Sequence, residues 1–246
     1  KPQSELQTQD HFLRTNNACI YSRVRVTNDR PAIVFMHGLG DSSEAFREMF
    51  ATPLLKNHNL IAIDQAGYGR SSKAMDSRYD FKAQVERIWD VLDQLRVRSF
   101  HLVGHSMGGD IATIMCLQDS AEGRILSLTN VEGDLTTGDM FISEDAKAAD
   151  DEENFEEWFC QTYREGTVFI EWAPQRASKA RYYAALHFAR MEAFRQNALE
   201  IYEIHLRESS SGFGNNYLQV QTKKCFCRSI GSLSEQSVAF LQANNL

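Results

Sequence analysis

The sequence has no cluster of lysine and arginine and no apolar run long enough to cross a bilayer. Its 246 residues carry a formal net charge of −7, which argues against a nucleic-acid partner and against binding to an anionic membrane. No secretory leader is recognisable, although the chain starts at Lys1 rather than at a methionine. These absences predict a soluble protein without a membrane span, with the cytoplasm as the expected compartment and secretion left open.

Cysteine is scarce, odd in number and without the spacing of a zinc site or of a disulfide framework. The expectation is reduced thiols that pack in the core, with no bound metal and no cofactor. Cys225 and Cys227 fall on one face of a predicted strand, where packing is the simplest explanation. The five cysteines are Cys19, Cys116, Cys160, Cys225 and Cys227.

Apolar runs alternate with helical patterns through the first 134 residues. Apolar spacing by three and four predicts an amphipathic helix over 79–95, and a shorter helix is expected at 44–50. Alternation of strands and helices predicts an α/β fold with a mostly parallel sheet and helices on both of its faces. The predicted strands of this part cover 18–26, 32–36, 60–64, 100–103 and 125–131.

Residues 135–215 interrupt this alternation of strands and helices, because they contain several helical patterns and no strand pattern. They predict a helical cap at 135–218, inserted into a core formed by residues 1–134 and 219–246. A long helix is expected over 180–207, with His187 and His205 on its apolar stripe, and therefore buried or lining a pocket rather than binding a metal.

The end of the chain returns to the core pattern. After a Ser/Gly/Asn-rich connector at 209–216, the sequence predicts a strand at 223–227. A helix is expected at 234–244, opened by Ser232 and Glu235 at the spacing of a capping box.

The stretch Phe100–Asp110 places a serine at a sharp turn between a strand and a helix. Ser106 lies between Gly104 and Gly108 in the pattern Gly-x-Ser-x-Gly, which is typical of a nucleophile elbow. The glycines allow neighbouring backbone to pass close, and the following helix directs its free N–H groups toward the serine. A serine between glycines also occurs in ordinary loops, but the strand before it and the helix after it favour the elbow.

Three motifs, each at the end of a predicted strand, together resemble the α/β-hydrolase superfamily with a serine nucleophile and a helical cap. They are HGLG at 37–40, DQAGYGRSS at 64–72 and GHSMGG at 104–109. The resemblance implies that the backbone N–H groups of Leu39 and Met107 form an oxyanion hole, which stabilises the negative oxygen of a tetrahedral intermediate. It also implies structural roles in these turns for His37, Gly38, Gly104, His105 and Gly108.

A serine at the elbow, rather than an aspartate, implies an acyl-serine intermediate. The resemblance therefore implies a hydrolase of carboxylic esters, or of related thioesters or lactones, that uses no cofactor. Aromatic residues in the predicted cap favour a small hydrophobic substrate, although they could equally hold the cap together. These residues are Phe141, Trp158, Phe169, Trp172, Phe188 and Phe194. Nothing in the sequence predicts an oligomeric state.

A catalytic serine needs a base, and the base needs an orienting carboxylate. In the family this carboxylate follows either the sixth or the seventh strand. Glu132 stands at the end of the predicted sixth strand and Asp134 two residues later. Glu132 is preferred because a strand terminus is the more rigid position. The alternative is that both carboxylates simply end the strand in solvent.

No histidine follows His205, whereas the family's catalytic histidine lies after an eighth strand near the C-terminus. One explanation is that the sequence stops before that strand and its histidine loop. Another is a non-catalytic relative that keeps the pocket for ligand binding or interaction. The chain as written is expected to hydrolyse activated esters poorly or not at all, and on the first explanation adding the missing segment should restore turnover. A third explanation, a scaffold with an accidental elbow, predicts no labelling of Ser106 by a serine-directed phosphonate.

Overall fold

The computed structural model describes residues 7–26, 30–207, 212–229, 231 and 233–245, and these residues form one sheet of seven strands together with a set of helices. The strands are β1 Gln9–Arg14, β2 Cys19–Arg25, β3 Ala32–Met36, β4 Asn59–Ile63, β5 Phe100–His105, β6 Ile125–Val131 and β7 Lys223–Cys227. Their order across the sheet is β1-β2-β4-β3-β5-β6-β7. Strands β3 to β7 are parallel, whereas β2 pairs antiparallel with β4 and β1 antiparallel with β2. The predicted α/β class with a mostly parallel sheet is confirmed.

Most helices follow the sheet strands or lie in one long insertion. The α-helices are α1 Arg47–Ala51, α2 Phe81–Gln94, α3 Met107–Gln118, α4 Phe141–Asp151, α5 Phe155–Glu157, α6 Ala177–Leu186, α7 Met191–Arg207, α8 Gly212–Gln219 and α9 Glu235–Ala243. A π-helix, in which backbone bonds join residues five apart, covers Trp158–Trp172. Short 3₁₀ turns lie at Ser43–Phe46, Pro53–Leu55, Asp119–Ala121 and Thr137–Asp139. Over the described ranges, no helix has both the length and the hydropathy to cross a bilayer.

The central strands are continuous apolar runs because both of their faces are covered. Val34, Ile61 and Leu102 are fully buried in neighbouring strands. By contrast, β1 lies at the sheet edge with alternating exposure, and Phe12 in it is 60% exposed. The positions of β6 and β7 match the sequence prediction residue for residue.

The predicted long helix over 180–207 is wrong, because the chain turns between α6 and α7. At this break the Arg190 N–H donates to the Gly67 carbonyl at 2.7 Å, which fixes the start of α7 against the loop after β4. As a result His187 is exposed just beyond α6, while His205 is fully buried in α7. The expected burial therefore holds for His205 and fails for His187.

Two boundaries near the end of the chain also differ from the prediction. Part of the expected connector is helical, since α8 begins at Gly212, and residues 208–211 lie outside the described residues. Helix α9 is capped by Ser234, whose hydroxyl accepts the Ser237 N–H at 3.2 Å. The predicted cap residue Ser232 lies outside the described residues.

The helices of residues 137–219 form a helical insertion between β6 and β7. An aromatic cluster holds it together, in which the Phe159 and Phe194 rings lie 4.8 Å apart and the Trp158 and Tyr163 rings stack at 5.3 Å. Three other aromatics of the predicted pocket do not join this cluster as buried residues: Phe141, Phe169 and Phe188 are 56%, 49% and 65% exposed. The aromatic content of the insertion is therefore used mainly for its own packing.

Candidate active site

Ser106 occupies the turn between β5 and α3 in a strained backbone conformation, with φ at +51° and ψ at −129°. The turn is fixed on both sides, because the Ser106 N–H donates to Val131 O at 2.9 Å and Gly109 N–H donates to Ser106 O at 2.6 Å. The Ser106 side chain is partly exposed, and its hydroxyl makes no hydrogen bond to any residue the structure describes. This geometry presents an accessible hydroxyl at the carboxyl end of a central strand.

Glycine is required beside this turn for close backbone packing. A Cβ on Gly104 would lie 2.2 Å from Gly108 O, and a Cβ on Gly108 would lie 2.3 Å from Met36 O in β3. On the opposite side, a Cβ on Gly38 would come within 3.1 Å of the Ser106 Cβ. The three glycines therefore allow the loop after β3 to approach the serine closely.

The loop after β3 is held in place by a buried histidine. His37 Nδ1 lies 2.8 Å from Gly38 O, and its Nε2 accepts the Gln65 N–H at 3.0 Å, so Nδ1 carries the proton. Burial lowers the pKa of His37 and keeps the ring neutral. Gly38 O also accepts the Asp41 N–H at 3.1 Å. Because Gly38 O belongs to the same peptide unit as the Leu39 N–H, these contacts fix the direction of that N–H.

The backbone amides of Leu39 and Met107 both have an unused N–H donor. Neither N–H has an acceptor among the described residues, although both residues are buried. Met107 is the first residue of α3, and the first N–H groups of a helix have no partner within the helix and lie at its positive end. Two N–H groups without an acceptor in the described part of the chain, one directly after Ser106 and one in the loop after β3, are donors of the kind that an oxyanion-binding site needs.

Glu132 follows β6 directly and is anchored to β7. Its N–H donates to Cys227 O at 2.9 Å, and its Oε1 accepts the Ser229 N–H at 2.9 Å and the Ser229 hydroxyl at 2.5 Å. Its Oε2 lies 4.0 Å from His105 Nε2. The carboxylate is therefore held at the edge of the sheet where β5 and β6 end.

Asp134, the alternative acid, lies in a different environment. It belongs to a cluster of carboxyl groups with Asp110 and Asp139. Burial and the nearby Asp139 raise the pKa of Asp134 to about 8, and burial with both neighbours raises the pKa of Asp110 well above its usual range. Asp139 itself accepts N–H groups from Leu135 and Ser234, both at 3.1 Å. A carboxyl that keeps its proton near neutral pH cannot stabilise an imidazolium, so this environment favours Glu132.

Replacing Asp134 by asparagine is expected to change how stability depends on pH. In the unfolded chain the carboxyl ionises near 3.8, whereas in the folded protein it keeps its proton to about 8. The folded state therefore binds more protons between these values, and stability falls as the pH rises from about 4 to 8. We expect the melting temperature of wild type to fall more steeply over this range than that of Asp134→Asn. The exposed Asp151→Asn is the control, and equal slopes in all three proteins would contradict the assignment.

None of the seven histidines hydrogen-bonds to Ser106, and all seven lie within the described ranges. His37 is fully engaged, and His101 Nδ1 lies 2.7 Å from the Ser127 hydroxyl.

Burial lowers the pKa of His105, with Glu132 acting in the opposite direction. His205 packs edge-on to the Phe213 ring at 5.4 Å, and burial lowers its pKa to about 4. The described contacts thus place a serine and a carboxylate at this edge of the sheet without a histidine bonded to the serine.

A tyrosine pair in the insertion reaches the loop after β3, and sequence reasoning missed it. The Tyr182 hydroxyl donates to Leu39 O at 3.0 Å and lies 2.8 Å from the Tyr163 hydroxyl. Beside it, burial raises the pKa of Asp41 to about 6, even though Asp41 Oδ1 accepts the Ser42 N–H at 2.8 Å. No local pattern marks Tyr182, because its contact depends on how α6 packs against a loop 143 residues earlier in the chain.

Comparison with known proteins identifies the family of this fold. The sequence profile of the family described as "alpha/beta hydrolase fold" matches residues 31–239. "Probable lysophospholipase BODYGUARD 1" of Arabidopsis thaliana is 34% identical over 126 residues, covering 48% of this chain and 26% of that protein. "Uncharacterized hydrolase YugF" of Bacillus subtilis is 34% identical over 90 residues, covering 36% of this chain and 32% of that protein. The chain therefore spans less than half the length of either relative.

A solved structure extends the likeness over nearly the whole chain. A hydrolase from Pseudomonas aeruginosa superposes with a TM-score of 0.67 at 20% identity, covering 96% of this chain and 95% of that one. At this identity the likeness concerns the fold alone.

Proposed function

Because the chain belongs to the α/β-hydrolase fold family, we propose that it cleaves a carboxylic ester, or a related thioester or lactone, through an acyl intermediate on Ser106. The observation that carries this proposal is the accessible Ser106 hydroxyl, held at a strained turn beside the open Leu39 and Met107 amides. Membership of a hydrolase-fold family and the similarity to two relatives named as a lysophospholipase and a hydrolase support hydrolysis.

The proposed first step is attack of Ser106 Oγ on the substrate carbonyl carbon. The carbonyl oxygen becomes negative, and the Leu39 and Met107 N–H groups donate to it. Removing one such donor typically costs about 3 kcal/mol in other hydrolases.

The base takes the proton of the Ser106 hydroxyl during the attack and gives it to the alkoxide or thiolate when the bond between the carbonyl carbon and that group breaks. In a lactone the alcohol stays attached to the acyl group. Water then attacks the acyl carbon, which releases the acid and restores the Ser106 hydroxyl. The helical insertion serves as a cap, since its Tyr182 contacts the loop that carries the Leu39 N–H.

Trapping the intermediate tests this proposal. The protein is incubated with p-nitrophenyl butyrate, quenched in acid and digested, and the peptides are analysed by mass spectrometry. We expect a butyryl group on the peptide that contains Ser106. An acyl group on other residues, or the same pattern in Ser106→Ala, would count against an acyl-serine mechanism.

Glu132 is proposed to orient the base and to stabilise its protonated form. Since none of the described histidines bonds to Ser106, free imidazole supplies the base in a suitable assay. Imidazole-supported hydrolysis is defined as the rate of p-nitrophenyl ester cleavage by the protein in imidazole, minus the rate in imidazole without protein.

Replacing Glu132 by glutamine is expected to reduce imidazole-supported hydrolysis about tenfold, because an amide cannot stabilise an imidazolium as a carboxylate does. Asp134→Asn is the matched control and is expected to retain most of the rate. The reverse result, with Asp134→Asn inactive and Glu132→Gln active, would assign the acid to Asp134.

Replacing Tyr182 by phenylalanine removes the hydroxyl that donates to Leu39 O. One hydrogen bond contributes about 1 kcal/mol, so we expect kcat of imidazole-supported hydrolysis to fall about fivefold with little change in KM. Tyr163→Phe is the matched control, because the Tyr163 hydroxyl contacts Tyr182 and not the loop. Equal losses in both variants would indicate a general packing effect instead of positioning of the loop.

A second candidate function is ligand binding without catalysis. The observation that favours it is the lack of a histidine hydrogen bond to Ser106 among the described residues. This candidate predicts saturable binding of a hydrophobic ester with no acyl-serine and no stimulation by imidazole. The acyl-enzyme experiment therefore separates the two functions.

A further inference from the structure

Two cysteines on β7 bring their sulfur atoms into contact. Cys225 Sγ and Cys227 Sγ lie 3.8 Å apart on one face of the strand. Cys225 is exposed and Cys227 is half-buried, so solvent reaches this face. Within the described part of the chain, all five cysteines are free and this is the one pair of sulfur atoms in contact. The sequence explanation of packing alone does not account for an exposed thiol.

The strand geometry allows the two sulfurs to bond. Two residues along a strand rise about 6.6 Å, and disulfides bridge Cα atoms that are typically about 4.4 to 6.8 Å apart. The pair therefore stands at the long end of the permitted range. Cβ atoms two residues apart on one face of a strand also lie about 6.6 Å apart, whereas a disulfide needs them about 3.5 to 4.5 Å apart. Closing the bond therefore bends and shortens β7 locally, which is feasible because β7 ends the described sheet and pairs there with β6 alone.

We propose that Cys225 and Cys227 form a dithiol site whose partner is a low-molecular-weight disulfide, and that reaction with it closes an intramolecular disulfide. The exposed Cys225 thiolate attacks one sulfur of the partner, which forms a mixed disulfide and releases one thiol. Cys227 then loses its proton and attacks Cys225 Sγ, which releases the second thiol. The two protein thiols are oxidised by two electrons, the partner is reduced to two thiols, and the two protons end on those thiols.

The roles of the two thiols follow from their surroundings. Burial and the neighbouring Cys225 raise the pKa of Cys227, whereas Cys225 is open to solvent. The attacking thiol is therefore Cys225, and Cys227 reacts only after the mixed disulfide has formed. Elsewhere, burial raises the pKa of Cys116 to about 12, so this thiol is expected to be unreactive.

The dithiol site is connected to the carboxylate of the candidate active site. Cys227 O accepts the Glu132 N–H at 2.9 Å, and Ser229, two residues later, holds Glu132 Oε1. Shortening β7 at this end shifts both anchors of Glu132. We therefore expect closure to reduce imidazole-supported hydrolysis at least threefold, an expectation that rests on the proposed function.

The test uses glutathione disulfide as the probe and mass spectrometry under non-reducing conditions. We expect wild type to lose two hydrogens at the Cys225–Cys227 peptide without retaining glutathione there. Cys227→Ser should keep one glutathione on Cys225, and Cys160→Ser, the control, should still close the pair. A glutathione adduct that persists on Cys225 in wild type, or a peptide that does not react, would overturn the proposal.

The mass measurement needs no hydrolytic activity, so it remains decisive if the proposed function fails. Hydrolysis is measured in parallel before oxidation, after it, and after reduction with dithiothreitol. A loss that dithiothreitol reverses, absent in Cys225→Ser, supports the connection to Glu132. Closure with an unchanged rate in a protein that hydrolyses the ester would refute that connection.

Discussion

Replacing Ser106 by alanine is expected to reduce p-nitrophenyl ester hydrolysis in imidazole to the rate of imidazole alone. The hydroxyl is the nucleophile of the proposed mechanism, and alanine leaves the Leu39 and Met107 amides in place without an atom that can form the acyl bond. Because β5, α3 and the strained turn do not depend on the hydroxyl, the variant is expected to fold and to melt within a few degrees of wild type. Loss of activity would then reflect lost chemistry.

The control for this variant is Ser178→Ala, which changes an exposed serine in α6. It should retain the wild-type rate, both with and without imidazole. A Ser106→Ala protein that keeps the imidazole-supported rate would show that hydrolysis occurs elsewhere on the surface. A parallel loss in both variants would show that the assay reports stability instead of the nucleophile.

Replacing Gly108 by alanine is expected to cause a large loss of stability. The added Cβ would lie 2.3 Å from Met36 O and 2.7 Å from His37 O. Both atoms belong to the backbone at the end of β3, a central strand bonded on both sides, so neither can move aside cheaply. Overpacking typically costs about 1 to 3 kcal/mol, and a contact this short with backbone belongs at the upper end of that range. We expect the melting temperature to fall by roughly 10 °C, with thermal unfolding followed by circular dichroism.

Gly166→Ala is the matched control for this experiment. A Cβ at Gly166 would meet only Gln161 O, at 3.3 Å, and the residue lies within the π-helix. Alanine in a helix interior is favoured over glycine by about 1 kcal/mol, so this variant should be neutral or slightly stabilised. If Gly108→Ala melted at the same temperature as Gly166→Ala, the close contact between the elbow and β3 would be disproved.

Sequence reasoning located best the strands that are apolar along their whole length because both of their faces are buried. Strand β3 is an unbroken apolar run covered on both faces, and such runs stand out from their polar flanks. Strand β1 was missed because it lies at the edge with only Phe12 and Leu13 as apolar residues, and Phe12 is largely exposed. β1 forms because it pairs with β2, and the local sequence of β1 carries no sign of that pairing.

The serine turn was predictable because all of the sequence signals that mark it lie in one short segment. Gly104, Ser106 and Gly108 occur within five residues, and the strand and helix around them are both strongly apolar. The contact of Tyr182 with Leu39 and the clustering of Asp110 with Asp134 were not predictable. These contacts depend on how segments distant in sequence pack together, and the local sequence around each of these residues does not indicate them.

The most direct test of the central claim is labelling with a p-nitrophenyl phosphonate in the presence of imidazole, followed by peptide mapping. We expect a single adduct on the Ser106 hydroxyl, because the proposed oxyanion hole of Leu39 and Met107 would stabilise the negative phosphonyl oxygen of that adduct. The adduct should be absent in Ser106→Ala and unchanged in Ser178→Ala. No adduct on Ser106, or adducts spread over exposed serines, would contradict the account.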